Sequence, residues 1–250
     1  MDDRPFRSGA HGRPHAEPGI DLIDPPGRRF IRRGAGKATR PKDAATLIVV
    51  RRDRPEPQVL MGRRHHGHSF MPEKWVFPGG KLDRSDFHAP HASDLHANVA
   101  ARLHASPSRA RALALAAVRE TFEETGLLLG RHAAARVYSG PWRDFVAHGA
   151  LPDLAPLDYV ARAITPPAAG KRFDARFFMV DARRLLSLAP AADCGELDEI
   201  GWFGLHEAQG LDLAGITRFV LADLALRLQD PQRPVPFVRV TNGVRRIHHV

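Results

Sequence analysis

Cysteine is almost absent. Cys194 is the only one in 250 residues. A single thiol excludes an internal disulfide framework and any cysteine-rich zinc site. Aromatic residues are scarce, at 7%. No run interleaves them with basic residues, so the stacking platform of single-strand binders is missing and nucleic acid is not an expected partner. No apolar run approaches the roughly 18 residues of a membrane span, so no membrane partner is expected either. The opening stretch MDDRPFRSGAHGRPHAEPGI has no apolar segment of the secretory type. Asp2, Asp3 and Glu17 disfavour a transit peptide. The expectation is a soluble, cytoplasmic protein.

Positive charge is abundant. Lys and Arg number 37 against 28 Asp and Glu, a net charge of +9. Such an excess reads either as a solvated arginine-rich surface or as attraction to a polyanion or a phosphate-bearing small molecule. Charge alone does not separate these. At 43% hydrophobic, the chain can bury one sizeable core, so one domain with tails is expected.

Residues 1–42 are rich in Gly, Pro, Arg and His and read as a flexible basic arm. Residues 43–230 read as the folded domain and 231–250 as a C-terminal tail containing the strand-like VPFVRV. Apolar runs rich in β-branched residues predict strands over 44–52, 58–64, 74–83, 158–165, 172–182 and 196–205. The third ends in a Pro-Gly-Gly turn. Residues 84–107, rich in Ala and His, read as an insertion with a helix over 92–104 and Asp94 near its start. Its histidines, His88, His91, His96 and His104, are irregularly spaced and read as solvated rather than metal-binding. The clearest helix spans 106–126, with Ser106 as cap, Pro107 in the first turn and Gly126 as the C-terminal stop. A last amphipathic helix is expected over 217–228.

The stretch VRETFEETGL (118–127) concentrates acid in a basic chain. At about 100° per residue, Glu120, Glu123 and Glu124 share one helical arc, with Leu115, Val118 and Phe122 opposite. Clustered carboxylates raise one another's pKa unless solvated or relieved by a cation. Hard oxygen ligands suit Mg²⁺ or Mn²⁺. The bland alternative is a solvated acidic helix end with Arg119 and Glu123 as an i,i+4 pair. A preceding glycine turn, the glycine stop and the basic surroundings speak for the cation.

FPGG followed by RETFEETGL resembles the Nudix box of the Nudix hydrolases. That pattern runs Gly, five residues, Glu, seven residues, then Arg-Glu-aliphatic-x-Glu-Glu-x-Gly-aliphatic. Arg119 to Leu127 match its second half, with Thr121 where an aliphatic is usual. In the first half, Gly80 plus five residues reaches Asp86, and 32 residues then precede Arg119. An insertion of about 25 residues accounts for the spacing. It leaves Asp83, Asp86 or no residue in place of the first box glutamate, the expected partner of the box arginine. ITPPAAGKRFDARFF resembles a branch with a long insertion in its box, which includes peroxisomal coenzyme A diphosphatases.

The resemblance implies an α/β/α sandwich around a mixed β-sheet and metal-dependent hydrolysis of a nucleoside diphosphate linked to a moiety X. Coenzyme A or acyl-coenzyme A leads; ADP-ribose, NADH or a nucleotide sugar is the alternative, and a non-catalytic nucleotide-sensing module is a third reading. Glu120, Glu123, Glu124 and the Gly79 carbonyl are implied metal ligands for Mg²⁺ or Mn²⁺. Arg119 is implied to orient a glutamate. The general base is a box glutamate, Glu196 or Glu199. Lys81, Arg63 and Arg64 are expected at the phosphates, with Arg172 and Asp174 as braces. Dimers are common for this fold, so a homodimer is one expectation.

Overall fold

The computed structural model describes residues 39–67, 70–134, 137–167, 169–190 and 196–250. The arm expected over 1–42 lies outside the described residues up to position 38. Among the described residues, eleven strands follow in chain order: β1 (Lys42–Arg51), β2 (Gln58–Arg64), β3 (Trp75–Val76), β4 (Gly79–Lys81), β5 (Gly130–His132), β6 (Ala150–Pro152), β7 (Asp158–Ile164), β8 (Phe173–Asp181), β9 (Leu197–Gly204), β10 (Pro236–Thr241) and β11 (Val244–His249). The α-helices are α1 (Ala97–Arg102), α2 (Pro107–Thr125), α3 (Arg143–Ala147), α4 (Leu205–Gly210) and α5 (Gly215–Arg227).

Nine strands form one mixed sheet, ordered β11-β10-β7-β8-β1-β2-β3, with β4 also on β1 and β9 also on β2. At its centre β1 and β8 run parallel, in register from Lys42 opposite Phe173 to Val50 opposite Asp181. Side chains alternate faces along a strand. On β1, Ala45, Leu47 and Val49 join α2 in one core, while Ile48 and Val50 join α5 in the other. Leu60 and Met61 of β2 divide the same way. The result is a helix–sheet–helix sandwich around a mixed sheet, as expected.

Two expectations are corrected. The single strand over 74–83 is two strands. Pro78 has no N–H to continue a ladder, so β3 pairs with β2 and the chain then swings across to pair β4 with β1. The Pro78 carbonyl accepts from the Leu47 amide at 3.0 Å. The helix over 92–104 is shorter, beginning only at Ala97. Asp94 does not serve its dipole but pairs with Arg111 of α2. Within 231–250, β10 and β11 form a hairpin that joins the main sheet through β7, so this segment is an integral edge. Asn242 and Gly243, both at positive φ, make its turn.

Candidate active site

Helix α2 is built as its sequence predicts. The Ser106 hydroxyl accepts from the Arg109 amide, Pro107 sits at the start, and Gly126 takes a left-handed φ of 72°. The burial differs from the two-faced expectation. The alanine-rich stretch lies under the sheet on one side and under the segment 127–154 on the other, so 13 of its 19 residues are buried. Thr121 and Thr125 tolerate this because their hydroxyls donate to the carbonyls of Ala117 and Thr121, at 2.8 and 2.5 Å.

The three glutamates differ in environment. Glu123 is exposed, Glu120 is part-buried and Glu124 is 2% exposed. One Glu124 oxygen accepts from the Gly79 amide at 2.9 Å. The other, Oε1, is buried with no hydrogen-bond partner among the described residues. Burial drives the Glu124 pKa up to about 8, the Gly79 amide and Arg64 opposing and Glu120 and Glu196 adding. Burial likewise lifts Glu120 to about 7, with Arg119 opposing and Glu123 adding. Glu123 is raised in the same sense, again mainly by burial.

The glycine turn fits these carboxylates closely. A Cβ on Gly80 would overlap the Glu120 carboxylate, and one on Gly79 would stand 2.6 Å from the Ala45 carbonyl oxygen. Gly80 therefore tolerates Ala only if Glu120 swings away, which a flexible side chain does at little cost. Gly80→Ala is expected to leave Tm unchanged or slightly higher, since alanine reduces unfolded-chain entropy. The same variant is expected to weaken Mn²⁺ binding by about tenfold, read by titration, because Glu120 no longer rests on the turn.

Arg119 is 5% exposed and uses all five of its N–H donors. Nε and Nη2 donate to the two Asp86 oxygens at 2.9 and 3.1 Å, and Nη2 also donates to the Lys81 carbonyl at 3.0 Å. Nη1 reaches Glu120 at 3.0 Å and Glu123 at 2.8 Å. Burial opposes the Arg119 charge, but the bond to Asp86 and the surrounding carboxylates outweigh it, so its pKa is raised. Asp86, fully buried on a short turn over Arg84–Phe87, is thus the residue facing the arginine. Asp83 is exposed and caps that turn through the Ser85 amide. Sequence reasoning missed Trp142, whose Nε1 also donates to Asp86, at 3.1 Å. No motif links these two residues, which lie 56 positions apart.

A cleft of about 660 Å³ opens beside the glycine turn. Gly79, Gly80, Lys81, Glu120, Arg64 and Glu196 line its polar end. Phe70, Phe77, Phe173, Phe177 and Ile216 contribute to its apolar wall. Two sequence candidates lie elsewhere. Arg63 and Glu199 sit opposite each other on β2 and β9 and pair at 2.7 Å, both solvent-accessible and neither lining the cleft. Alternation along β2 is the reason: adjacent residues face opposite ways, so Arg64 enters the cleft and Arg63 does not. Nor do Arg172 and Asp174 touch the glutamates. Arg172 donates to the carbonyls of Thr165 and Thr39. Asp174 binds Arg162 at 2.7 Å and Arg176 at 3.0 Å.

Among the described residues, no group of three or more His, Cys, Asp or Glu side chains is set to hold a metal ion. Glu123 is held by Arg119 instead. A hard cation such as Mg²⁺ does not need such a cage, because one or two carboxylates plus water and substrate phosphates are its usual shell. The unpartnered Oε1 of buried Glu124, beside desolvated Glu120, fits that smaller donor set.

No family model matches the chain, and no curated protein matches it. Solved structures do. A NUDIX hydrolase from Alicyclobacillus acidocaldarius is 26% identical, with 81% of this chain and 88% of that chain covered and a TM-score of 0.50. The NUDIX domain of Shewanella oneidensis NrtR, solved with ADP ribose, is 12% identical over 76% of this chain and 90% of that one, with a TM-score of 0.47. A MutT NUDIX hydrolase from Burkholderia pseudomallei is 19% identical over 74% and 99%, with a TM-score of 0.43. With its mixed sheet between helical layers and its likeness to the Alicyclobacillus enzyme, the chain has the Nudix hydrolase fold.

Proposed function

We propose that the protein hydrolyses a phosphoanhydride bond in a nucleoside diphosphate linked to X, using Mg²⁺ or Mn²⁺, with coenzyme A or acyl-coenzyme A as leading substrate. Glu124 carries this reading: a carboxylate buried to 2% exposure, with one oxygen unpartnered among the described residues, beside Glu120, which lines the cleft. A merely structural glutamate would have both oxygens satisfied. The Nudix fold supports a hydrolase of this general type. The choice of X is supported by the RFDARFF resemblance and by a cleft whose apolar wall suits a bulky moiety.

Glu120 and Glu124 would hold the ion, with the Gly79 carbonyl a further donor and Glu123 reachable from its place on Arg119. Bound there, the ion would neutralise phosphate charge and lower the pKa of a water. Arg119 fixes the glutamate side chains through its bonds to Glu120 and Glu123. Lys81 and Arg64, at the same end of the cleft, offer positive charge to the diphosphate oxygens. The general base has to be a carboxylate the ion does not occupy. Glu196 lines the cleft and Glu199 does not, which favours Glu196.

The test is a panel of coenzyme A, ADP-ribose, NADH and nucleotide sugars with Mg²⁺ or Mn²⁺, with the two phosphomonoester products of each separated and quantified. Turnover of coenzyme A is expected. No turnover of any member would overturn the hydrolase in favour of a sensing module. Turnover of ADP-ribose with coenzyme A untouched would overturn only the choice of X.

The raised carboxylates also set a pH dependence. In the ion-free protein, Glu120 and Glu124 bind protons more tightly folded than unfolded, where the ordinary value is 4.5. The stability they contribute is complete below about pH 4.5 and is lost as pH rises through about 7 and 8. Tm without metal should fall over this range, and Mg²⁺ should restore more at pH 8 than at about pH 5, where protons compete with the ion. Thermal unfolding with and without chelator checks this; a Tm gain from Mg²⁺ that is independent of pH would sink it.

A further inference from the structure

The geometry points to Trp142 as a positioning residue for the ion site, acting through Asp86 and Arg119. The inference rests on the reading of Glu120 and Glu124 as ion ligands, but the residue lies outside the VRETFEETGL stretch and outside the cleft lining. Asp86 receives four donors. Oδ1 accepts from Arg119 Nε at 2.9 Å and Trp142 Nε1 at 3.1 Å. Oδ2 accepts from Arg119 Nη2 at 3.1 Å and the Asp83 amide at 2.8 Å. A carboxylate has about four acceptor positions, so Asp86 is saturated without solvent. Trp142 is the only side chain other than Arg119 that donates to it among the described residues.

The chain of contact is continuous. Trp142 sets the Asp86 carboxylate, Asp86 sets the Nε–Nη2 edge of the Arg119 guanidinium, and the remaining nitrogen sets Glu120 and Glu123. A guanidinium is planar and rigid, so turning one edge turns the other. The indole is itself fixed. It is fully buried and meets Phe145 edge-on at 5.4 Å, which meets Phe122 of α2 at 5.2 Å. Tyr138 adds a tie, its hydroxyl donating to the His88 carbonyl at 3.3 Å, two residues beyond Asp86. The segment leading into α3 therefore clamps the short turn carrying Asp86 and the helix carrying the glutamates.

Removing the indole N–H should weaken Mn²⁺ binding by about tenfold, the lower end for partners that orient metal ligands. Binding is read by the spectrum of free Mn²⁺ on the full chain without substrate. Trp142→Phe is the first variant. Replacement of Trp142 by benzothienylalanine, which exchanges N–H for sulfur at nearly constant shape, covers the case in which Phe fails to fold. Leu221→Ala controls for general loosening: Leu221 is fully buried on α5 in the other core and should lower Tm while leaving Mn²⁺ affinity near wild type. Unchanged affinity in the benzothienylalanine variant, or equal weakening in Leu221→Ala, would overturn the inference. A wild-type chain that binds no Mn²⁺ would overturn the ion site and this inference together.

Discussion

Glu124→Gln is expected to lower kcat by more than about 100-fold while leaving the fold intact, since an ion ligand stabilises charge in the transition state. The two effects should go in opposite directions. Glutamine keeps the shape and an oxygen for the Gly79 amide, but it carries no charge to bury. In wild type that burial is what lifts the Glu124 pKa to about 8. Without metal at pH 8, the variant should therefore unfold at the same temperature as wild type or higher. The pH slope of Tm should also flatten. Stability kept and activity lost is the pattern of a residue held in an unfavourable state for function. Near-normal kcat would mean that the ion binds elsewhere.

Asp86→Asn should give the reverse signature, a large loss of stability. It leaves Arg119, 5% exposed, without its bidentate partner in a site closed to water. An asparagine also turns an NH₂ toward donors that Asp86 accepted. Breaking a buried pair from one side costs roughly 3–5 kcal/mol. Glu120 and Glu123 still neutralise part of the guanidinium, which places the expectation near the lower figure. For a chain of this size that lowers Tm by about 10 °C. Asp83→Asn is the informative companion. Asp83 is exposed and caps a turn, and asparagine caps nearly as well, so less than about 0.5 kcal/mol should be lost. Equal Tm values for the two variants would show that Asp86 is not the arginine's support.

These two aspartates mark how far the site could be read in the chain. Counting from the glycine turn leaves Asp83 and Asp86 both open, because a spacing says nothing about which one is turned inward. The short turn over Arg84–Phe87 decides it, pointing Asp86 into the protein and leaving Asp83 as its cap. Sequence leaves Glu196 and Glu199 both open for a similar reason. A period-two pattern tells which residues share a face, but not which face meets the cleft. The irregular pairing of β9 with β2 places Glu199 against Arg63, while Glu196, just before β9, is among the residues lining the cleft. Trp142 carried no signal, since a tryptophan before a short helix reads as core.

What the sequence determined by itself was local. Helix α2, with its cap, its first-turn proline, its glycine stop and its three glutamates, follows from side-chain chemistry within one segment. The strand cores β1, β2, β7, β8 and β9 follow from runs of apolar and β-branched residues. Tertiary structure alone decided how segments meet. It broke the third expected strand at Pro78 to bring Gly79 and Gly80 under α2, buried Asp86 against Arg119 and Trp142, and joined β10 and β11 to the sheet. The division has one physical cause. Caps, periods and turns are interactions between neighbours in the chain, whereas desolvation and ion pairing depend on what lies across the fold. The glutamates could be found from the first kind of interaction. The pKa of each, and the residues that hold it in place, come from the second.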